Sequence, residues 1–215
     1  CMPPKKLDAQ YQRFYAKALP LLGVNSKIKR EWRTLPEQYQ GLGMPNVPLQ
    51  ALSEKLSFLI GNWGLAGQAH SDALAMAYEN FIVEVGLYGS PLQWNFKDYG
   101  FLSTDATWFH NLWQLISLFG VEISLNKSET VTGIRENDVS LMSEFHRIGY
   151  RGKQLEALNI VRRYRNLIHM TDISRCDGRS LDPFVISDSA EKSTQITFPR
   201  EEPTRSDFTL WKVAV

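Results

Sequence analysis

Apolar residues along this chain recur mostly at helical spacing. Tyr11, Phe14, Tyr15, Ala18, Leu21 and Leu22 follow the i, i+3, i+4, i+7 rule of one helix face. Pro20 predicts a kink or stop at Leu19, and Gly23 a C-terminal stop. A short helix is expected over 26–33. Asn46 reads as an N-cap with Pro48 in the first turn, opening a helix with Leu49, Leu52, Leu56, Leu59, Ile60 and Trp63 as its stripe. Gly61, Gly64 and Gly67 separate it from a helix capped near Ser71, with Leu74, Tyr78, Phe81, Ile82 and Val85 on one face and Gly86 at its end. Residues 90–103 read as an irregular loop pinned by Trp94, Phe96, Tyr99 and Phe101.

The second half continues the pattern. A helix over 104–119 carries apolar residues around most of its girth, which predicts burial on several sides. Residues 121–125 alternate apolar and polar as a short strand does. A helix over 138–148 turns Leu141, Met142, Phe145 and Ile148 inward. A helix over 152–170 is predicted to bury Ala157, Ile160, Val161, Tyr164, Leu167 and Ile168, leaving Asn159, Arg162, Arg163 and Asn166 outside. Asp177-Gly178 is a hairpin turn signal, so a small β element is expected around 172–183. Residues 187–205 are polar and proline-containing and read as a mobile loop. Thr204 with Asp207 forms a capping-box pattern for a last helix bearing Phe208 and Trp211. The predicted class is mainly α: helical bundles with a minor β-hairpin element. Residues 1–89 form one helical unit and 104–215 another, with a boundary within 86–103.

Composition adds little except through charge. The 215 residues are 43% hydrophobic, with six Trp and eleven Phe, enough for a substantial aromatic core. Net charge is +1, yet residues 1–67 hold nine Lys/Arg against four Asp/Glu, and residues 68–144 hold three against ten. Residues 145–180 return to eight against three. Two basic segments therefore flank an acidic one, and basic segments attract phosphate backbones. Ordinary solvated surface charge is the alternative. Cys1 and Cys176 give neither a disulfide framework nor a CxxC metal site, which fits a nuclear or cytoplasmic setting. No apolar run follows Pro3-Pro4-Lys5-Lys6 as a signal peptide requires, no apolar segment is long enough to span a bilayer, and both termini read as cuts in a longer polypeptide.

Motifs for chemistry are sparse. His70, His110, His146 and His169 are dispersed at spacings unlike a zinc site. Asp172, Asp177 and Asp182 lack the order of a calcium loop, and Glu79, Glu84, Asp98 and Asp105 do not converge in sequence as a two-metal nuclease site would. Gly41-Leu-Gly43 lacks the third glycine of a dinucleotide fingerprint. No catalytic motif, and hence no cofactor, is expected in this chain. Two basic constellations stand out. Lys27, Lys29, Arg30 and Arg33 lie beside Trp32, a combination suited to phosphates and an adjacent base or sugar face. Arg162 and Arg163 share a helix with Asn159 and Asn166.

The run Arg30-Glu-Trp-Arg-Thr-Leu-Pro-Glu-Gln-Tyr-Gln-Gly-Leu-Gly-Met-Pro-Asn46 resembles the segment that follows the polymerase palm in reverse transcriptases of eukaryotic non-LTR retroelements. There, a basic helix end leads into trp-x-thr-leu-pro and then gly-leu-gly-x-pro. Arg135-Glu-Asn-Asp138, Leu158-Asn-Ile-Val-Arg162 and Thr171-Asp-Ile173 with Asp177-Gly178 resemble later elements of such proteins, in the same order. The aromatic-x-Asp-Asp tetrapeptide that binds their catalytic metals has no counterpart, since the chain contains no Asp-Asp pair. The resemblance thus implies the non-catalytic thumb and downstream region of a retroelement protein. Its parent would be an RNA-directed DNA polymerase using Mg²⁺. Its partners would be template–primer nucleic acid, an RNA–DNA or duplex backbone, and an upstream polymerase domain of the same polypeptide. The implied contact residues are Lys27, Lys29, Arg30, Trp32 and Arg33, with Arg162 and Arg163 as a second patch. A helical protein-interaction module without a nucleic-acid role is the alternative.

Overall fold

The computed structural model describes residues 4–65, 67–87, 89–105, 107–125, 138–175, 178–187 and 202–215. Local signals in the chain set most element ends. Helix α1 (Pro4–Leu21) runs through Pro20 and closes at Gly23, whose φ of +76° lets Val24 N–H donate back to the Leu19 carbonyl at 2.9 Å. Helix α2 (Arg30–Thr34) is a single turn. Helix α3 (Val47–Asn62) opens on Asn46, whose side chain accepts from Leu49 N–H, with a proline in its first turn. Helix α4 (Ala69–Val85) starts at Gln68 rather than at Ser71, and ends on Gly86 in the left-handed region.

The predicted loop at 90–103 contains the one-turn helix α5 (Phe96–Tyr99) between two 3-10 turns. Helix α6 (Trp108–Phe119) begins at Thr107, later than the pattern predicts, because Thr104 is engaged elsewhere: both its N–H and hydroxyl donate to the Glu84 carboxylate. Helix α7 (Leu141–Arg147) is capped by Ser140. Helix α8 (Gly152–Arg165) stops at Asn166, five residues short of the predicted range, with Asn166 at φ +59°. Two single turns follow, α9 (Met170–Ile173) and α10 (Pro183–Ile186), and α11 (Arg205–Ala214) opens on the Thr204–Asp207 capping box.

The described part is all-α. It contains no strand at 121–125 and no hairpin at 172–183, where a lone antiparallel bridge joins Ser174 to Leu181. The turn residue Asp177, most of the predicted loop at 187–205 and the first three residues of the island beginning at Arg135 lie outside the described residues. Tyr78, Phe81, Val85, Phe109, Leu112, Trp113, Leu158, Val161 and Trp211 belong to one buried cluster, to which Leu92, Tyr99 and Leu102 of the 90–103 segment also contribute. Aromatic edges interlock at its centre: Phe81 meets Trp113 at 5.7 Å and Phe145 meets Trp211 at 5.6 Å, both near perpendicular.

Helix α8 faces inward differently from its apolar pattern. Leu155, Leu158, Asn159 and Arg162, spaced i, i+3, i+4, i+7, form its buried side, and Arg162 has no exposed surface. The expectation that Asn159 and Arg162 point to solvent is therefore overturned. Helix α4 ends against this face with carbonyls that its own turns cannot satisfy. The Arg162 Nη2 donates to the carbonyls of Val83 (2.6 Å) and Glu84 (3.1 Å), and Nη1 to that of Leu167 (2.9 Å). Both Nε and Nη2 also donate to Asn159 Oδ1, while Asn159 Nδ2 donates to the Glu84 carbonyl. Burial pushes the guanidinium down to about 9, so it is still charged at neutral pH. The negative end of the α4 dipole favours that charge.

Gly86 makes room for it. A Cβ there would stand 2.4 Å from the Arg162 Cζ, and φ is +71°. We expect Arg162→Met, which keeps volume but strips the donors, to lose about 3 kcal/mol or more in urea unfolding. Gly86→Ala should lose about 1–3 kcal/mol. Values within about 0.5 kcal/mol of the parent for both would remove the network from its central place.

Candidate nucleic-acid interface

The first basic constellation sits on a two-helix unit. Helix α1 rests on α3 and α6, and among its described side chains only Leu19 is buried. Helix α2 is fastened to α1 at two points. The Arg30 guanidinium pairs with the Asp8 carboxylate at 3.0 and 3.2 Å, and Arg33 lies 5.9 Å from the Tyr15 ring centroid. Backbone bonds then fold the connector back on α2: Leu42 N–H donates to the Trp32 carbonyl, Gly43 N–H to Leu35 and Met44 N–H to Arg33. Gly41 permits that close return, since a Cβ there would overlap the Leu35 carbonyl oxygen at 2.0 Å. The glycines thus shape the path from α2 to α3.

This geometry divides the predicted contact residues. Lys27 and Lys29 are exposed, and among the described residues neither has a carboxylate at ion-pair distance. Trp32 is 49% exposed. Arg30 is committed to Asp8 and Arg33 is half-buried against Tyr15, so both act first as fasteners. Arg163 is half-buried on α8, and Arg162, fully buried, offers no surface to a phosphate. The structure does not bring the two basic patches into one constellation as exposed cations.

It adds residues that the sequence reading passed over. The apolar stripe read on α1 is not its packed face: Phe14 is 62% and Leu21 88% exposed, and both share the outer side with Lys6, Arg13 and Lys17. Those three cations likewise lack a carboxylate partner among the described residues. The spacing of these cations at 6, 13 and 17 puts them on one helix face and was the available signal. The outer side of α1 with the 27–29 turn is therefore a basic surface that carries one exposed aromatic ring, Phe14. It is a surface and not a pocket, because the crevice between α1 and α2 holds only about 10 Å³, room for one water at most. A larger groove of about 640 Å³, lined by Trp94, Trp113, Ile116, Val121 and Glu122, lies elsewhere and gathers no set of reactive groups.

One constellation of catalytic type also escaped the sequence reading. Ser103 Oγ lies 2.7 Å from His110 Nδ1, and His110 Nε2 lies 3.3 Å from Asp105 Oδ1. The order Ser-Asp-His within eight residues matched no known motif spacing. Its setting is structural: Ser103 is 6% exposed and within bonding distance of the Gly100 carbonyl, which closes the hydroxyl to a substrate. Among the described residues no three His, Cys, Asp or Glu side chains gather to hold a metal, and no helix is long and apolar enough to cross a membrane. In comparisons with known proteins, no family model, curated protein or solved structure matches the chain.

Burial holds the His110 imidazole below its ordinary value of 6.5, with Asp105 and Glu84 opposing the shift. The unfolded chain then takes up a proton more readily than the folded one. Stability from this group is complete above the ordinary value and is lost as pH falls through the lower folded one. We expect urea-unfolding stability to fall between about pH 7 and pH 5, and His110→Gln to shrink that fall. His146, also depressed by burial, accounts for a remainder. An unchanged pH profile in His110→Gln would contradict the assignment.

Proposed function

We propose that this chain is the non-catalytic thumb and downstream part of a reverse-transcriptase-like retroelement protein, and that it contacts template–primer nucleic acid through the α1–α2 unit. One observation carries the contact: Lys6, Arg13, Lys17, Lys27 and Lys29 are exposed on this unit without carboxylate partners among the described residues. Unpaired cations release bound counterions from a polyphosphate when they engage it, whereas cations already in ion pairs gain little. The link to retroelements rests on the order of the sequence islands, and their punctuation makes physical sense in the connector. On this reading the polymerase site and its Mg²⁺ belong to an upstream domain, and the protein works in the nucleus or cytoplasm.

A second reading is favoured by a different observation. Leu21, Leu22 and Tyr39 are 88%, 70% and 62% exposed, apolar surface suited to a protein partner. Salt dependence separates the two. An RNA–DNA hybrid should bind the full chain with log affinity falling by about 0.9 per phosphate contact for each tenfold rise in salt. Lys27→Glu with Lys29→Glu should flatten that slope by about two contacts' worth. Hybrid binding that is absent at low salt, or indifferent to salt, favours the protein-interaction module.

A further inference from the structure

The exposed Phe14 ring on the outer side of α1 has no task in gripping a duplex. A duplex shows phosphates, sugars and base edges, while its base faces are stacked inside. Phe14 nevertheless stands 62% exposed beside the basic row, next to Arg13 in the chain and three residues before Lys17, about 4.5 Å along the axis. Its ring is held in place by the edge of Tyr15 at 5.8 Å, and Tyr15 in turn meets Tyr11 at 6.0 Å. Tyr15 is itself fixed under Arg33. The platform is thus oriented before any ligand arrives, and an anchored ring loses little entropy on stacking.

We propose that this face binds single-stranded nucleic acid, with an unpaired base stacked on Phe14 and its neighbouring phosphates held by Lys6, Arg13 and Lys17. The inference rests on the nucleic-acid reading above and narrows it to the unpaired strand. Charge complementarity selects this occupant over a second copy of the chain. A two-fold α1–α1 pairing would set the Lys6, Arg13 and Lys17 row against its own copy, and like charges repel. An anionic lipid surface fits less well, because an interfacial helix buries a continuous apolar face. Among the described residues the outer side of α1 offers only Phe14 and Leu21 as large apolar side chains among its cations, and the opposite side is occupied by α2 and α3.

The test uses the whole 215-residue chain, a single-stranded oligouridine of about 15 nucleotides carrying a 2-aminopurine, and an RNA–DNA hybrid of equal length. Stacking should quench the 2-aminopurine on binding. Phe14→Ala should weaken single-strand binding at least fivefold and abolish the quench, with hybrid affinity unchanged within about twofold. Phe14→Trp should restore both affinity and quench, whereas Phe14→Leu, apolar but without a π face, should not. Because Phe14 is largely exposed, circular dichroism should show every variant folded. Equal losses on both ligands, or no effect of Phe14→Ala, overturn the stacking platform while leaving the backbone grip intact. Failure of both nucleic acids to bind at low salt overturns the nucleic-acid reading and this inference with it. Phe14-dependent binding to phosphatidylserine vesicles without single-strand binding assigns the face to a membrane and overturns it as well.

Discussion

A single buried cation, held by backbone carbonyls, joins the parts of this molecule. The Arg162 guanidinium reaches the last turn of α4 through Val83 and Glu84 and the turn after α8 through Leu167, while Asn159 extends the network to the Leu102 carbonyl. Taking a guanidinium out of water costs several kcal/mol, so the position is tenable only because donors and carbonyls are matched. The requirement runs both ways. The carbonyls at the end of α4 need donors once the core closes over them, and the glycine at 86 is what lets the donor approach. Core packing then follows: with α4 and α8 locked end to face, Phe81, Trp113, Leu158 and Val161 share one interior, and α11 closes it with Trp211.

The α1–α2 unit stands apart from this logic. Among the described residues it adds only Leu19 to the buried ones, and it is held by an exposed ion pair, a cation–π contact and the folded-back connector. An exposed ion pair contributes at most about 1 kcal/mol, so the unit is attached far less firmly than the core is built. Binding surfaces are drawn from such low-stability regions, where side chains keep their charge in water and stay available. A firm body and a lightly fastened basic arm form the division of labour on which the proposed function rests.

Much of the body was legible in the sequence because its signals are local. Asn46 with Pro48, Thr204 with Asp207, Gly23 and Gly86 each act within one turn, and each set an end where the pattern put it. The apolar face of α4 was legible in full, since Leu74, Tyr78, Phe81, Ile82 and Val85 have no competing face. Where the reading failed, a distant partner decided. Arg162 reads as solvent-facing until the carbonyls of α4, some 80 residues earlier, are brought against it. The start of α6 moved because Glu84 engages Thr104, and α8 stopped early because Asn166 accepts the left-handed conformation. On α1 the aromatic stripe borders the basic row, so the apolar pattern alone put Phe14 and Leu21 on the packed side although both are exposed. The Ser103–His110 contact was invisible because it depends on how a 3-10 turn meets the start of α6.

The central functional claim is that contact is made by α1 and the 27–29 turn, while the charges of the locked body stay out of it. Site-resolved lysine acetylation of the full chain, with and without a saturating RNA–DNA hybrid or single strand, tests it most directly. The account predicts that Lys6, Lys17, Lys27 and Lys29 are protected on binding, whereas Lys153 on α8 and Lys212 on α11 react at unchanged rates. Protection centred on Lys153 or Lys212, or labelling unaffected throughout by bound nucleic acid, would contradict it.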